Sequence, residues 1–303
     1  MFTGELLAIV TVLCWTVSVQ FFSSASKMAG AIPVNIIRIG IALILFTVFL
    51  LIRDGSIVPT DFPLYGWLLL SLSGVIGLFI GDIFLFKAFV ELGPRIAMLI
   101  HSLAAPAAAI IGWLFLNEYY GTSQWFGIFV TLTGVALVIL EKKPALVPAR
   151  DLGAARNSWK GVIYGIIAML GQAVGYILSK AGMQTDSGYL DAFAATEIRA
   201  IAAFFCFVLY FSLTGRWNDV FRALKNSKVV TYTAIGSFLG PFIGVSLSLL
   251  VLHYLATGIA ATFLSLVPVF IIPFSIIIHK EHVSLRSISG AFIAVSGIYM
   301  LMT

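Results

Sequence analysis

Long apolar runs, each bounded by charged residues, glycine, proline or polar clusters, recur along the whole chain. A helix needs roughly 20 apolar residues to cross a hydrocarbon core of about 30 Å, and most of these runs have that length. The pattern predicts ten membrane-spanning helices, at residues 4–25, 33–52, 64–89, 95–116, 123–141, 159–180, 191–214, 229–253, 258–279 and 285–302. The predicted fold class is therefore an all-α transmembrane bundle.

A polar stretch at residues 142–158, which contains two prolines and mixed charge, is the only long interruption. It predicts a linker loop between a first five-helix repeat at 1–141 and a second at 159–303. Residues of the two halves match at separations of 161 to 163 positions: Arg38 with Arg199, Gly77 and Gly81 with Gly240 and Gly244, Pro106 with Pro268, Glu118 with Glu281, and Gly127 and Gly134 with Gly290 and Gly297. Because each repeat has an odd number of spans, the two repeats must be inverted, which is an arrangement that permits alternating access.

The order and duplication of these motifs resemble the drug/metabolite transporter superfamily, specifically its EamA-like ten-helix branch. The resemblance covers almost the full length of the chain. It implies a ten-helix bundle whose central cavity is lined mainly by the first, third and fourth spans and by their counterparts, the sixth, eighth and ninth. Members of the branch move amino acids, other metabolites or nucleotide sugars, so the resemblance implies transport without fixing a substrate.

Composition supports a membrane protein, with 60% hydrophobic and only 10% charged residues, against about 25% charged in soluble domains. The loops after the odd-numbered spans carry fourteen Lys and Arg residues, and the opposite side carries Arg53 and Lys180. By the positive-inside rule the first set of loops is cytoplasmic and both termini lie outside. The resemblance implies cytoplasmic termini instead, so both orientations stay open. We predict a multi-pass protein of the plasma (inner) membrane.

Several other functions find no support in the sequence. Cys14 and Cys206 lie in apolar runs without a CxxC spacing, which argues against a disulfide framework or a metal site. The chain has no HExxH, GxSxG or GxxxxGK[ST] motif, so we expect neither an enzyme nor direct ATP drive. We expect no cofactor, no metal and no nucleic-acid partner. The expected partners are a small-molecule substrate, the lipid bilayer and protons as a coupling ion, and the expected state is a monomer.

Polar residues within the predicted spans are the candidates for substrate binding or ion coupling, because such groups are expensive in a membrane. The candidates are Asp82 in the third span, His101 five residues before Pro106 in the fourth, Gln172, Tyr176 and Lys180 at four-residue spacing in the sixth, and Trp15 and Gln20 in the first. For each of them the competing interpretation is structural, through interhelical hydrogen bonds, packing or snorkelling to the interface.

Residues that occur in both halves indicate a structural or gating role instead. These are Arg38, Arg199, Pro106, Pro268, Gly77, Gly81, Gly240, Gly244, Glu118 and Glu281. For the two glutamates we expect a position near the start of the following helix, where the helix dipole favours a carboxylate.

The predicted function is a secondary active transporter that exports small polar metabolites such as amino acids. The main alternative is a proton-coupled exporter of multidrug or quaternary cations. Four-helix relatives of the superfamily carry an acidic residue in the middle of their first helix, where this chain has Leu13, Cys14, Trp15 and Thr16. That difference favours the metabolite exporter, and a passive channel stays a further alternative.

Overall fold

The computed structural model describes residues 2–140, 159–186, 188–270 and 285–302, and it is almost entirely helical. The first repeat contains α1 (Thr3–Ala29), α2 (Ala31–Asp54), α3 (Leu64–Ser73), the π-helical segment π1 (Gly74–Gly81), α4 (Asp82–Ser102), α5 (Ala104–Phe115) and α6 (Thr122–Ile139). The second contains α7 (Trp159–Met183), the antiparallel strands β1 (Gln184–Thr185) and β2 (Gly188–Tyr189), α8 (Ala192–Thr214), α9 (Trp217–Leu224), α10 (Ser227–Ser237), the π-helical segment π2 (Phe238–Val245), α11 (Ser246–Tyr254), α12 (Thr257–Leu264) and α13 (Leu285–Met302).

The helices have the lengths and composition of a multi-pass membrane protein. Among the described residues, six stretches are long and apolar enough to cross a bilayer: Thr3–Ala29, Ala31–Asp54, Leu64–Ala88, Trp159–Met183, Ala192–Thr214 and Ser227–Tyr254. Four shorter apolar helices, at Leu99–Phe115, Thr122–Val138, Thr257–Phe270 and Ile288–Met302, fall at the other predicted positions. The all-α transmembrane class is confirmed, and the count of ten full spans stays a prediction.

In two places the structure is helical where the sequence predicts a loop. α4 continues to Ser102 through Gly93 and Pro94, where the sequence predicts a break between two spans. Leu92 in this stretch packs against Gly161 of α7, so tertiary packing offsets the poor helix propensity of the two residues. The second difference is α9, which occupies the predicted loop between the seventh and eighth spans. The sequence does not predict α9, because its eight residues do not form a long apolar run.

Both glycine-rich stretches are π-helical rather than α-helical. π1 and π2 each contain eight residues and occupy matching positions in the two repeats. Within π2, Pro241 has no amide N–H and cannot donate the hydrogen bond that an α-helix requires at that position. Hydrophobic periodicity does not reveal such local widening, and π segments occur frequently at functional sites.

The duplicated prolines coincide with matching helix breaks. Between α4 and α5 the chain turns at Leu103, three residues before Pro106. After α12 it turns at residues 265–266, just before Pro268. The hydroxyl groups of Ser102 and Ser265 each donate to the carbonyl oxygen three residues earlier, at 2.7 Å in both cases. Each duplicated proline therefore follows a helix break, and both breaks lie inside a span that the sequence predicts to be continuous.

The contact between α6 and α13 displays the inversion of the repeats directly. An ideal Cβ at Gly127 would lie 2.9 Å from the carbonyl oxygen of Gly297, and one at Gly134 would lie 2.5 Å from that of Gly290. Since 127 corresponds to 290 and 134 to 297, the two contacts exchange under a pseudo-twofold operation. The hydroxyl of Thr131 donates to the carbonyl of Ala294, its own counterpart, at 3.4 Å. Equivalent helices of the two repeats therefore run antiparallel.

The chain divides into two compact units that differ from the sequence repeats. Unit 1 comprises Met1–Ile80 and Val174–Leu255, and unit 2 comprises Gly81–Ala173 and Ala256–Thr303. The core of unit 1 includes the buried side chains of Phe46, Phe207 and Phe211, and that of unit 2 includes Ile128 and Val135. Each unit draws helices from both repeats.

Candidate functional site

In unit 1, each duplicated arginine lies beside the beginning of a π segment from the other repeat. An ideal Cβ at Gly74 would lie 2.2 Å from the backbone oxygen of Arg199, so a larger residue would displace the chain. At the position 163 residues later, Ser237 donates from its hydroxyl to the backbone oxygen of Arg38 at 3.1 Å. The side chain of Arg199 is buried, and that of Arg38 lies 5.6 Å from the centre of the Phe22 ring. These contacts join α8 to π1 and α2 to the end of α10, directly before π2.

The second half of α7 packs against the start of π1. Ser73 donates to the carbonyl of Gly175 at 2.7 Å and lies 2.8 Å from the hydroxyl of Ser179. An ideal Cβ at Gly175 would lie 3.5 Å from the Cα of Gly77, which is ordinary contact. Two predicted site residues on this part of α7, Tyr176 and Lys180, are buried. The ammonium of Lys180 donates to the carbonyl of Leu255 at 2.9 Å, beside the end of α11.

α1 packs in the same way against π2. An ideal Cβ at Gly236 would lie 2.7 Å from the ring of Phe22 on α1. One at Gly240 would lie 3.1 Å from the same ring and would also approach Ser18, and one at Gly244 would lie 2.5 Å from the ring of Trp15. The predicted site residue Trp15 is thus held against a π-segment glycine. Gln20 is exposed and does not belong to this contact. Because it lies two residues after Ser18, it points to the far side of the helix.

Unit 1 also buries several polar side chains that have no hydrogen-bond partner for one or more atoms among the described residues. The hydroxyls of Thr16 on α1 and Ser246 on α11 are fully buried and bond to none of the described residues, and the same holds for both polar atoms of the Asn35 amide on α2. Glu197 on α8 is 1% exposed. Its Oε1 accepts a hydrogen bond from Thr47 at 3.1 Å, and its Oε2 has no hydrogen-bond partner in the described part of the chain.

Glu197 and Asn35 were not among the residues that the sequence singled out. A signal for Glu197 was available, since position 36 in the first repeat, which matches it at the spacing of the duplicated arginines, is an isoleucine. Glu197 also lies within a predicted span, as Asp82 does, and it is not duplicated in the other repeat.

In unit 2, the remaining predicted site residues lie on α4 and on the first half of α7. Asp82 is half-buried at the first position of α4, directly after π1. Gln172 is half-buried on α7 and falls in a different compact unit from Tyr176, four residues on. His101 lies two residues before the break at Leu103, and its Nδ1 is buried without a hydrogen-bond partner among the described residues.

Lys87, five residues after Asp82, is exposed and lies between two aromatic rings. Its ammonium is 5.0 Å from the ring centre of Phe84 and 5.7 Å from that of Tyr164 on α7. Such distances are within the range of cation–π attraction. This part of α4 and the first half of α7 are therefore joined by the lysine and two rings.

Glu118 binds the beginning of α12 rather than the following helix, α6. Its carboxylate accepts from the backbone N–H of Thr257 at 2.9 Å and from the Thr257 hydroxyl at 2.7 Å. The Tyr120 hydroxyl donates to the same carboxylate, and burial together with this bond raises the pKa of Tyr120. Asn117, at φ 53°, ends α5 in the left-handed region, and Gly112 leaves room for the carboxylate. Glu281 lies outside the described residues.

Two cavities lie away from the predicted site residues. One, of about 260 Å³, is lined by Trp113, Tyr119, Tyr120 and Trp125 in unit 2. The other, of about 150 Å³, lies at the end of α2 beside the ion pairs that Arg53 makes with Asp54 at 2.7 Å and with Asp191 at 3.1 Å. Within the described part of the chain, no three His, Cys, Asp or Glu side chains are grouped as metal ligands would be.

The sequence profile of the EamA-like transporter family matches residues 2–140 and matches again at residues 159–303. The chain belongs to the EamA-like transporter family. The two matches correspond to two repeats, in agreement with the antiparallel contact of α6 and α13. Family membership confirms the predicted resemblance to the drug/metabolite transporter superfamily.

A solved structure described as "Crystal structure of protein" superposes on this EamA-like transporter with a TM-score of 0.70. The similarity covers 99% of this chain and 97% of the other, at 15% sequence identity. A likeness at that identity concerns the fold alone. No curated protein matches the sequence.

Proposed function

We propose that this EamA-like protein is a secondary transporter of the plasma (inner) membrane that exports small polar metabolites such as amino acids by alternating access. The observation that carries the proposal is the pair of π segments at matching positions in inverted repeats. α1 packs on π2 as the second half of α7 packs on π1. Inverted repeats that adopt two alternative packings open a site to one side and then to the other.

The close glycine contacts supply the interfaces at which such a change would occur. Small residues let helix backbones approach closely without interlocking side chains. The serine hydroxyls at the same contacts bond to carbonyls of their own or a neighbouring helix, which keeps those groups satisfied in lipid. We assign the gating role to Gly77, Gly81, Gly240 and Gly244 together with the proline breaks at Pro106 and Pro268.

The polar residues on α1, α4 and α7 are the proposed substrate and coupling groups. Trp15, Gln172 and Tyr176 combine aromatic surface with hydrogen-bonding groups, which suits a small polar metabolite. Asp82 and His101 are the proposed proton-coupling groups, since both can change charge and each lies beside an irregularity of the helix. Lys180 and Gln20 complete the set, although Lys180 already donates to a backbone carbonyl.

Glu197 favours the alternative substrate class, a quaternary cation exchanged for protons. Its carboxylate is buried with one oxygen unpartnered among the described residues, and a buried carboxylate of this kind attracts a cation or a proton. The buried neutral polar groups of Thr16, Asn35 and Ser246, which also lie in unit 1, favour a zwitterion or an uncharged metabolite. Family membership supports transport over an enzymatic function. A ligand screen distinguishes the two substrate classes, polar metabolite and quaternary cation.

The test begins with thermal unfolding of the purified protein in the presence of amino acids, nucleosides, sugars and quaternary amines. Ligands that raise the melting temperature are then assayed for counterflow in proteoliposomes. Saturable counterflow is expected, and linear flux without counterflow would indicate a channel instead. A response confined to quaternary amines and lost in Glu197→Gln would favour the cation exporter.

Coupling is tested with Asp82→Asn and His101→Ala, and exposed Asp61→Asn is the control. We expect both variants to reduce transport and to alter its dependence on pH, while the control leaves both unchanged. If neither variant changes uptake or its pH profile, the assignment of coupling to these two residues is wrong.

A further inference from the structure

α9 is a short helix between two spanning helices, with an apolar and a basic side. Its eight residues give a length of about 12 Å, far below the roughly 30 Å of the hydrocarbon core. α8 ends at Thr214 and α10 begins at Ser227, so α9 lies where two spans end. The helix is therefore placed at a membrane surface.

One edge of α9 is fixed to unit 1. Val220 and Ala223 are buried, and the helix contacts α1, α2 and α10. The indole N–H of Trp217 donates to the hydroxyl of Ser212 at 3.2 Å, and its ring lies 5.7 Å from that of Phe211. The orientation of α9 about its own axis is thus set by packing.

That orientation leaves an apolar stripe uncovered. Phe221 and Leu224 are 55% and 47% exposed. Together with half-buried Trp217 they occupy positions i, i+4 and i+7, which lie on one face of a helix. Helices that rest in the plane of a membrane interface present such a stripe to the acyl chains and carry basic residues on the adjoining face.

The adjoining face of α9 and the neighbouring helix ends are basic. Between residues 214 and 228 the chain has four basic residues and one acidic residue, for a net charge of +3. The acid, Asp219, is paired with Arg216 at 2.9 Å. The side chains of Arg222, Lys225 and Lys228, and of Lys27 at the end of α1, are exposed, and none of these four side chains bonds to another described residue.

We propose that Lys27, Arg222, Lys225 and Lys228 form a binding surface for anionic phospholipid headgroups, while Trp217, Phe221 and Leu224 insert among the acyl chains. Uncompensated basic charge beside an interfacial apolar stripe is the combination that anionic lipids bind. The apolar stripe favours a lipid over a soluble phosphate, because a free anion would use the charges alone. None of these residues is among the proposed substrate-binding or coupling residues, so the lipid proposal holds whichever substrate the protein transports.

The test compares thermal unfolding of the purified full chain in mixed micelles of phosphatidylglycerol and in mixed micelles of phosphatidylcholine. We expect phosphatidylglycerol to raise the melting temperature of the native protein. The triple variant R222Q/K225Q/K228Q should lose most of this increase, because each neutralised residue lowers the affinity about fivefold. The control K142Q/K143Q/R150Q removes the same charge from the predicted linker and should retain the increase.

Three results would overturn the proposal. The first is an equal melting temperature of the native protein in both lipids. The second is that the triple variant and its control lose the phosphatidylglycerol-induced increase in melting temperature to the same extent. The third is an equal stabilisation by inorganic phosphate alone, which would indicate a soluble anion. Melting of the triple variant in phosphatidylcholine reports whether it folds. If it does not, Phe221→Gln/Leu224→Gln replaces it and is expected to show the same selective loss.

Discussion

At the scale of single residues, Glu118 shows how one carboxylate can join two helices of different repeats. It follows α5 and accepts hydrogen bonds from the first residue of α12, where backbone N–H groups have no partner within their own helix. The negative charge also complements the positive end of the α12 dipole. The residue therefore acts on the start of a helix more than a hundred positions away in sequence.

We expect Glu118→Ala to lower the free energy of unfolding by about 1–3 kcal/mol, since it leaves the buried N–H and hydroxyl of Thr257 without their acceptor. Glu118→Gln keeps one acceptor oxygen and should lose less. Thermal or chemical unfolding in detergent measures both. Asp61→Ala removes an exposed carboxylate and is the control. Equal stability of Glu118→Ala and the native protein would contradict the assigned capping role.

At the scale of elements, the α6–α13 contact depends on four glycines that alternate across a pseudo-twofold axis. Substituting alanine for glycine in an exposed helix position normally stabilises the helix by up to about 1 kcal/mol. At Gly134 the new Cβ would lie 2.3 Å from the backbone nitrogen of Ala294, so the helices must separate. The two effects have opposite signs, which makes the substitution informative.

We expect Gly134→Ala to destabilise the protein by about 1–3 kcal/mol, the usual cost of overpacking a close contact. The matched control is Gly121→Ala at the start of the same helix, where the nearest atom to a new Cβ is 3.9 Å away. Unfolding midpoints in one detergent compare the two variants. If Gly134→Ala is as stable as Gly121→Ala, the close α6–α13 approach does not persist in the folded protein.

At the scale of the whole molecule, the compact units and the sequence repeats divide the chain differently. Unit 1 takes its helices from residues 1–80 and 174–255, so neither repeat by itself contains a complete unit. The same holds for unit 2. Each repeat should therefore expose large apolar and polar surfaces that only the other repeat covers.

We expect residues 1–141 and 159–303 to be degraded when expressed separately and to accumulate as a complex when co-expressed. Co-purification through a tag on one repeat, followed by the transport assay on the complex, measures the outcome. The control is the full-length chain that is first purified and then cleaved within residues 142–158. A single repeat that folds and resists proteolysis alone would contradict this interdependence.

The sequence alone determined the class of the protein and the matching of its halves, including the duplicated prolines. Apolar length and the duplicated glycines, prolines and arginines are linear properties, because each depends on residues close together or on a constant spacing along the chain. The family of this chain could also be inferred from the order of those motifs. The wider turns of π1 and π2 could not, since hydrophobic periodicity does not register one additional residue per turn.

Only the tertiary structure decided which groups meet. It placed Glu118 at the start of α12, Trp15 against Gly244 and the carbonyl of Arg199 against Gly74, and it separated Gln20 from the residues it was grouped with. It also identified Glu197 as a buried carboxylate with a single hydrogen-bond partner among the described residues. These facts depend on contacts between positions far apart in the chain. The sequence gives the chemical type of each residue, whereas the contacts of that residue are set by how helices from the two inverted repeats pack together.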